Sequence, residues 1–376
     1  MEQPTDHPTG RNMKHWCILI LLVTVGCIEP YPTPDRNSNT NTLVVDGFLN
    51  ATENVIRLRL SRTVDLSSSD TVNPESKAQV YIEEKSGPKH LLNEINVGLY
   101  ERFINIDLTK NYRIEINTKG KKYLSDFIEV LQSPSIDSLS WRPTEDGLLI
   151  LVSTHDTQNN FFLWNHIETW EYTAAFQSGY NIDNGSFTYR MQNEDIPHCW
   201  KNIPSTEILI GTTNRLNQNI ISETMITKIP LRSEKLLVKY SILVNQLAIS
   251  SKAYDYWQQL KKNTESLGTL FDPQPSQVIG NVYNEDGEEV LGYFYATTVT
   301  QKRLTLALDD LPRSHRYIGD FGLCEEDTVL LADLPKFEPK TYNLVVGVYN
   351  LFGSLIGFKY STHDCTDCIL QGGTKT

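Results

Sequence analysis

The strongest constraint on this chain is a recurring pattern of short runs in which apolar and polar residues alternate. Val55-Ile56-Arg57-Leu58-Arg59-Leu60 is its clearest instance. Successive side chains of a strand point to opposite faces, so such a run makes a ribbon with one apolar side. Leu43-Val44-Val45, Val80-Tyr81-Ile82-Glu83, Phe103-Ile104-Asn105-Ile106, Tyr112-Arg113-Ile114-Glu115-Ile116 and Phe127-Ile128-Glu129-Val130 repeat the pattern. Asp46-Gly47, Ser86-Gly87-Pro88 and Lys119-Gly120 supply turn signals between them. A mainly β chain is expected, with an immunoglobulin- or fibronectin-like β-sandwich over 42–132. The loop from Asp65 to Ser76 is polar and reads as solvated.

Ser133-Pro134 marks a boundary, and a second, larger β-rich domain is expected over 133–376. Its most patterned stretch is Phe161 to Tyr172. Counting by twos puts Phe162, Trp164, His166, Glu168, Trp170 and Tyr172 on one face. That face is either packed on a neighbouring layer or a ligand platform made of Trp164, His166, Glu168, Trp170 and Tyr172. The stretch from Phe176 to Ile203 is irregular and ends in His198-Cys199-Trp200, the profile of a surface loop with a task.

One helix is expected, over 251–267. Ser250 or Ser251 can cap it and Gly268 can end it. Ala253, Tyr254, Trp257, Leu260, Thr264 and Leu267 form its apolar stripe, with Trp257 a core anchor. Beyond it, Val278–Tyr283 and Val290–Thr300 read as the arms of a hairpin with Asp286-Gly287 at the turn. The acidic turn lacks the alternating ligands of a calcium loop.

Location is written near the start. Met13-Lys14-His15 precedes the apolar run Trp16–Val25, and Gly26 stands directly before Cys27. This is the layout of a lipoprotein signal over 1–26, with Met13 a possible true start and Cys27 the lipid acceptor. The run is about half the roughly 20 residues of a membrane-spanning helix. An ordinary signal cut near Gly26 and an uncleaved anchor are the competing readings. Residues 27–41, rich in Pro, Asn, Thr and Ser, then form a flexible tether. Glu29 near the cysteine is a feature of some surface-export signals and a slight pointer to surface exposure, with the periplasmic face as the alternative.

Of six cysteines, Cys17 lies in the signal and Cys27 takes lipid, leaving Cys199, Cys324, Cys365 and Cys368. An even number in an exported chain points to two disulfides, with three connectivities open. Cys365-Thr-Asp-Cys368 with His363 also resembles a redox or zinc half-site. Asp364 and Asp367 would raise a thiol pKa, and only His198-Cys199 could complete a zinc set, so no metal or cofactor is expected.

The net charge is −12 and no Lys/Arg-rich run exists, which argues against nucleic acid. No G-x-S-x-G, H-E-x-x-H or phosphate loop occurs. The enzymatic alternative is a hydrolase pairing Glu168 with Asp156 or Glu171, and acidic pairs are frequent by chance among 46 acidic residues.

Several motifs together resemble one family. They are the lipoprotein cysteine, Leu43-Val44-Val45-Asp46-Gly47, Cys199-Trp200, Tyr240-Ser241-Ile242-Leu243-Val244 and Ala253-Tyr254-Asp255-Tyr256-Trp257. Leu270-Phe271-Asp272-Pro273-Gln274-Pro275, Gly280-Asn281, Cys365-x-x-Cys368 and Gly372-Gly373-Thr374 complete the set. The chain resembles the Bacteroidota outer-membrane lipoproteins catalogued as domain of unknown function 4249, most specifically over Tyr254–Asn281. Relatives often continue past the double glycine to a terminal aromatic, whereas this sequence ends at Thr376. The resemblance implies a cell-envelope lipoprotein, often encoded beside a TonB-dependent transporter, with no catalytic residue to carry over. The expected function is therefore a non-enzymatic accessory or ligand-binding module for a glycan, peptide or other small ligand. A structural, assembly or adhesion role in the envelope is the alternative.

Overall fold

The computed structural model describes residues 41–64, 73–156, 158–183, 185–191, 198–214, 219–265, 277–316, 324–370 and 372–374. The chain is mainly β, 55% strand and 11% helix, in several sheets of which one is nearly closed and barrel-like.

The 13-stranded sheet folds into two layers. In one, Leu43–Asn50 pairs antiparallel with Val55–Arg62, which pairs with Leu99–Phe103. In the other, Asn111–Thr118 pairs with Gln79–Glu84, Lys121–Ser125 and Ile128–Leu131. The alternation predicted for Val55–Leu60 holds. Ile56, Leu58 and Leu60 are buried, while Arg57 and Arg59 face outward. Tyr112, Ile114 and Ile116 from the other layer complete the core.

A late segment closes this core. Val290–Gly292 and Ala296–Thr297 run parallel to Leu43–Asn50, and Val282–Asn284 pairs with Lys121–Ser125. Ala296 stands opposite both Leu49 and Val130, so it joins the two layers along one edge. Val282, Val290, Phe294 and Ala296 are buried in the same cluster. The turn expected near Asp286-Gly287 is present, with Gly287 N–H donating to Asn284 O at 3.1 Å. Its arms pair with these two separate partners instead of with each other. The physical reason is that both arms are apolar, and the first layers offer each an open edge. Close approach also explains Gly280: a Cβ there would lie 1.7 Å from the Gly292 carbonyl oxygen. Next to it, the Asn281 side chain both donates to and accepts from the Phe294 backbone at 2.7 Å.

The second unit is a sandwich of two sheets. A 3-stranded sheet holds Ile136–Thr144, Gly147–His155 and Ile220–Pro230. It faces a 5-stranded sheet of His198–Pro204, Phe161–Thr173, Lys239–Ala248, Val299–Ala307 and Leu209–Thr212. Another 5-stranded sheet contains Tyr180–Asp183, Ser186–Tyr189, Asp327–Leu330, Tyr342–Tyr349 and Leu355–Thr362.

The helix runs Ser251–Glu265. Ser250 caps it, its Oγ accepting from Ala253 N–H at 3.2 Å. Gly268, proposed as its stop, lies outside the described residues. Ala253, Tyr254, Tyr256, Trp257 and Leu260 pack against Leu163, Leu247, Ile249 and Tyr293. The helix thus wedges between the first sheet's late segment and the start of Phe161–Thr173.

Candidate functional site

The strand Phe161–Thr173 lies at the centre of its sheet, between His198–Pro204 and Leu209–Thr212 on one side and Lys239–Ala248 on the other. Trp164, His166, Glu168, Trp170 and Tyr172 do share one face. All five are buried, packed with Leu148, Ile150, Val152, Ile221, Ile226 and Ile229 in the space between the two sheets. This face is an interior layer, not an open platform.

Its polar groups are mostly spoken for. Trp164 Nε1–H donates to Gln246 Oε1 at 2.9 Å, and Gln246 Nε2 donates to Pro134 O and Thr154 Oγ1. Glu168 accepts from Tyr240 OH at 2.7 Å and from Lys235 Nζ, whose ammonium lies 5.2 Å from the centre of the Trp170 ring. Burial pushes the Tyr240 phenol far up, and the Glu168 charge adds to the shift. Burial also lowers the His166 imidazole, despite the nearby Glu168 carboxylate. His166 Nδ1 and Trp170 Nε1 have no hydrogen-bond partner. Glu171 points to the opposite face of the strand from Glu168. Asp156 accepts from Gln158 N–H and Asn159 Nδ2 within its own turn. Neither forms a carboxylate pair with Glu168.

Cys199, Cys324, Cys365 and Cys368 form two disulfides, Cys199–Cys368 and Cys324–Cys365. Cys365 and Cys368 are therefore bonded to distant partners and not to each other. Cys199 and Cys368 are fully buried, and the Cys368 carbonyl accepts from Tyr172 OH. Thr374 pairs with Trp200 through both backbone hydrogen bonds, at 2.9 and 3.0 Å, which fixes the end of the chain to that sheet edge. Cys27 lies outside the described residues.

A built hollow lies beside the Leu163–Ile167 segment of this strand. A cleft of about 590 Å³ opens between the outer face of the Leu43–Arg62 hairpin, the Leu163–Ile167 segment, the loop 204–208 and the helix. Cross-strand register places Asp46 opposite Arg59 and Phe48 opposite Arg57 on the hairpin's outer face. Phe48 stacks on Tyr295, ring centres 5.1 Å apart. Arg57 Nε donates to Glu101 at 2.7 Å. Trp257 lines the cleft from the helix, and its Nε1–H has no partner. His166 reaches the same cleft. Crowding raises the Asp46 carboxyl above its usual range, and the Arg59 guanidinium opposes the shift. Burial, with Asp46 adding, pushes the Tyr256 phenol up to about 12 and raises Tyr295 as well. A second hollow of about 640 Å³ continues past Thr206, Glu207 and Ile208 along the helix.

The cleft combines aromatic faces and guanidinium groups. Such a surface binds ligands that present both an apolar face and hydrogen-bonding groups. Reading the sequence did not find it, because its residues come from separate segments about 40 to 100 positions apart. The outward pair Arg57 and Arg59 was the one local signal.

A family described as domain of unknown function (DUF4249) matches residues 28–303, more than half of the chain. The chain belongs to this family. The DUF4249 match spans the hairpin, the long strand and the helix that build the cleft, and it stops at Arg303, ahead of three of the four disulfide cysteines. No curated protein matches this DUF4249 member.

Proposed function

We propose that this DUF4249 protein is a non-enzymatic ligand-binding lipoprotein of the outer membrane, anchored through Cys27 and working beside a TonB-dependent transporter. The cleft carries the reading. Its volume of about 590 Å³ falls in the range of small-molecule sites, roughly 300–1,000 Å³. Its stacked Phe48 and Tyr295, with Trp257, offer faces to a sugar ring or an aromatic side chain. Arg59, Asp46 and Glu207 offer polar contacts at the walls. The ligand class is a short glycan or peptide. The tether 27–41 holds the domain near the membrane, on the cell surface.

For the first module, over 42–132, we infer an immunoglobulin- or fibronectin-like sandwich completed by the later segment 282–297 of the same chain. Its two antiparallel layers with inward-facing Ile, Leu and Tyr support that reading. The second, larger β-rich domain carries the amphipathic helix.

Two measurements test the function. Affinity purification of the native lipoprotein from solubilised membranes is expected to recover a TonB-dependent transporter. Recovery of none, across several detergents, ends the transporter part. Fluorescence titration with oligosaccharide and peptide panels is expected to give a response that Trp257→Ala abolishes. A folded protein that responds to neither panel ends the binding part.

A further inference from the structure

The strands Tyr342–Tyr349 and Leu355–Thr362 form a hairpin in the C-terminal 5-stranded sheet. Its tip is Asn350-Leu351-Phe352-Gly353-Ser354. Leu351 is 101% exposed and Phe352 93%. Two large apolar side chains therefore stand wholly in solvent at the most protruding point of a hairpin. Leu330, Tyr349 and Ile356 are also exposed at that end of the sheet, where Leu330 sits opposite Gly357 and Tyr349 opposite Leu355. An exposed apolar group of this size marks an interaction site.

Two further observations identify the partner. First, no residue from Thr341 to Phe358 carries a charge, in a chain that is 21% charged. Protein-binding patches keep a polar, often charged rim, whereas a segment entering hydrocarbon suffers a desolvation penalty for each charge it carries. Second, the turn pairs four of its five N–H groups within itself. Asn350 Oδ1 accepts from both Phe352 N–H and Ser354 N–H at 2.9 Å. Gly353 N–H donates to Asn350 O at 3.0 Å, and Asn350 N–H donates to Ser354 O at 2.9 Å. Gly353 takes the left-handed φ of +80° that this closed turn needs. A turn that leaves water must pair its N–H groups internally, because lipid offers them no acceptor. Tyr349, just behind the tip, is the residue type that settles at the headgroup level.

We propose that the Leu351–Phe352 tip inserts into the outer boundary of a lipid bilayer, as a second, non-covalent membrane contact. Insertion of a rigid tip by about 5–10 Å reaches the headgroup–acyl boundary. The contact is sequence-encoded in the hairpin and distinct from acylation at Cys27. Together they orient the domain instead of leaving it free at the end of its tether. The chain is acidic overall, so the contact is apolar and does not require anionic lipid.

The test uses the full protein carrying Phe352→Trp, incorporated into phosphatidylcholine vesicles with brominated acyl chains. The signal of the new tryptophan is read as the difference from the parent. Flotation with the vesicles scores the lipid anchor separately, so failure of the lipoprotein reading is seen apart from failure of the tip. The expected result is blue-shifted emission quenched by the bromines, with quenching reduced at least five-fold when Leu351→Asp is added. Unchanged circular dichroism shows that the added variant still folds. Emission typical of water, with or without flotation, overturns the proposal. So does quenching that Leu351→Asp leaves intact. A tip shielded from both iodide and bromolipid only in native membranes overturns it in favour of a protein partner.

Discussion

The Arg62 guanidinium meets the Glu75 carboxylate at 2.8 Å with side-chain exposures of 3% and 2%. Thr118 Oγ1 and Lys119 Nζ also donate to Glu75. The cluster closes one end of the first core.

Breaking this pair from one side leaves a buried charge alone. Glu75→Ala is expected to cost about 3–5 kcal/mol in urea unfolding, and Arg62→Met with Glu75→Leu much less. Equal losses in the two variants would contradict the assignment. The pair also makes stability depend on acid. Burial raises the Glu75 carboxyl, but hydrogen bonds from Arg62, Thr118 and Lys119 outweigh it and hold the value at about 2, below the ordinary 4.5. A depressed folded value contributes in full above the unfolded one and is lost as pH falls. The loss therefore lies between about pH 4.5 and 2, and unfolding curves of Glu75→Gln should be flatter across that window.

Gln246 is expected to be the most sensitive neutral polar residue of the second core. It accepts from Trp164 and donates to Pro134 O and Thr154. Gln246→Leu strands those groups in a dry interior and should cost at least ~2 kcal/mol. A double-mutant cycle with Trp164→Phe should show coupling, since removing the indole donor relieves part of the loss. Strict additivity would argue against the contact.

Peptide mapping of unreduced protein should recover Cys199 with Cys368 and Cys324 with Cys365. Cys199→Ser with Cys368→Ser removes a cross-link spanning 169 residues. It should lower stability by about 2–5 kcal/mol in thermal melts. A Cys365–Cys368 peptide would refute the pairing.

A fragment of residues 28–132 should fail to melt cooperatively. It lacks the parallel partners of Leu43–Asn50 and the bridging Ala296. A sharp thermal transition from that fragment would show that the late strands are dispensable.

Much of the first layer was legible because period-two alternation at Val55–Leu60 fixes which side chains face inward, and the helix announced itself through Ser250 and its apolar stripe. The same alternation gave the shared face of Trp164 to Tyr172 but not its covering. Which surface lies on top depends on Leu148–Val152 and Ile221–Ile229, and no local pattern encodes that meeting. The hairpin expected over 278–300 shows the same limit from another side. Its two arms have strand composition, yet composition does not choose between a neighbour and a strand some 160–250 residues earlier. The cleft is the extreme case, since Asp46, His166, Glu207 and Trp257 become neighbours only after both units have closed.

The parallel pairing of Leu43–Val45 with Val290–Gly292 sets a timetable. The first described strand waits for a partner made about 250 residues later before its sheet can close. Cys199 likewise waits for Cys368, and Trp200 for Thr374. A chain wired in this way stays open through most of its synthesis. Neither its first core nor its Cys199–Cys368 cross-link can be completed until those late residues have been made.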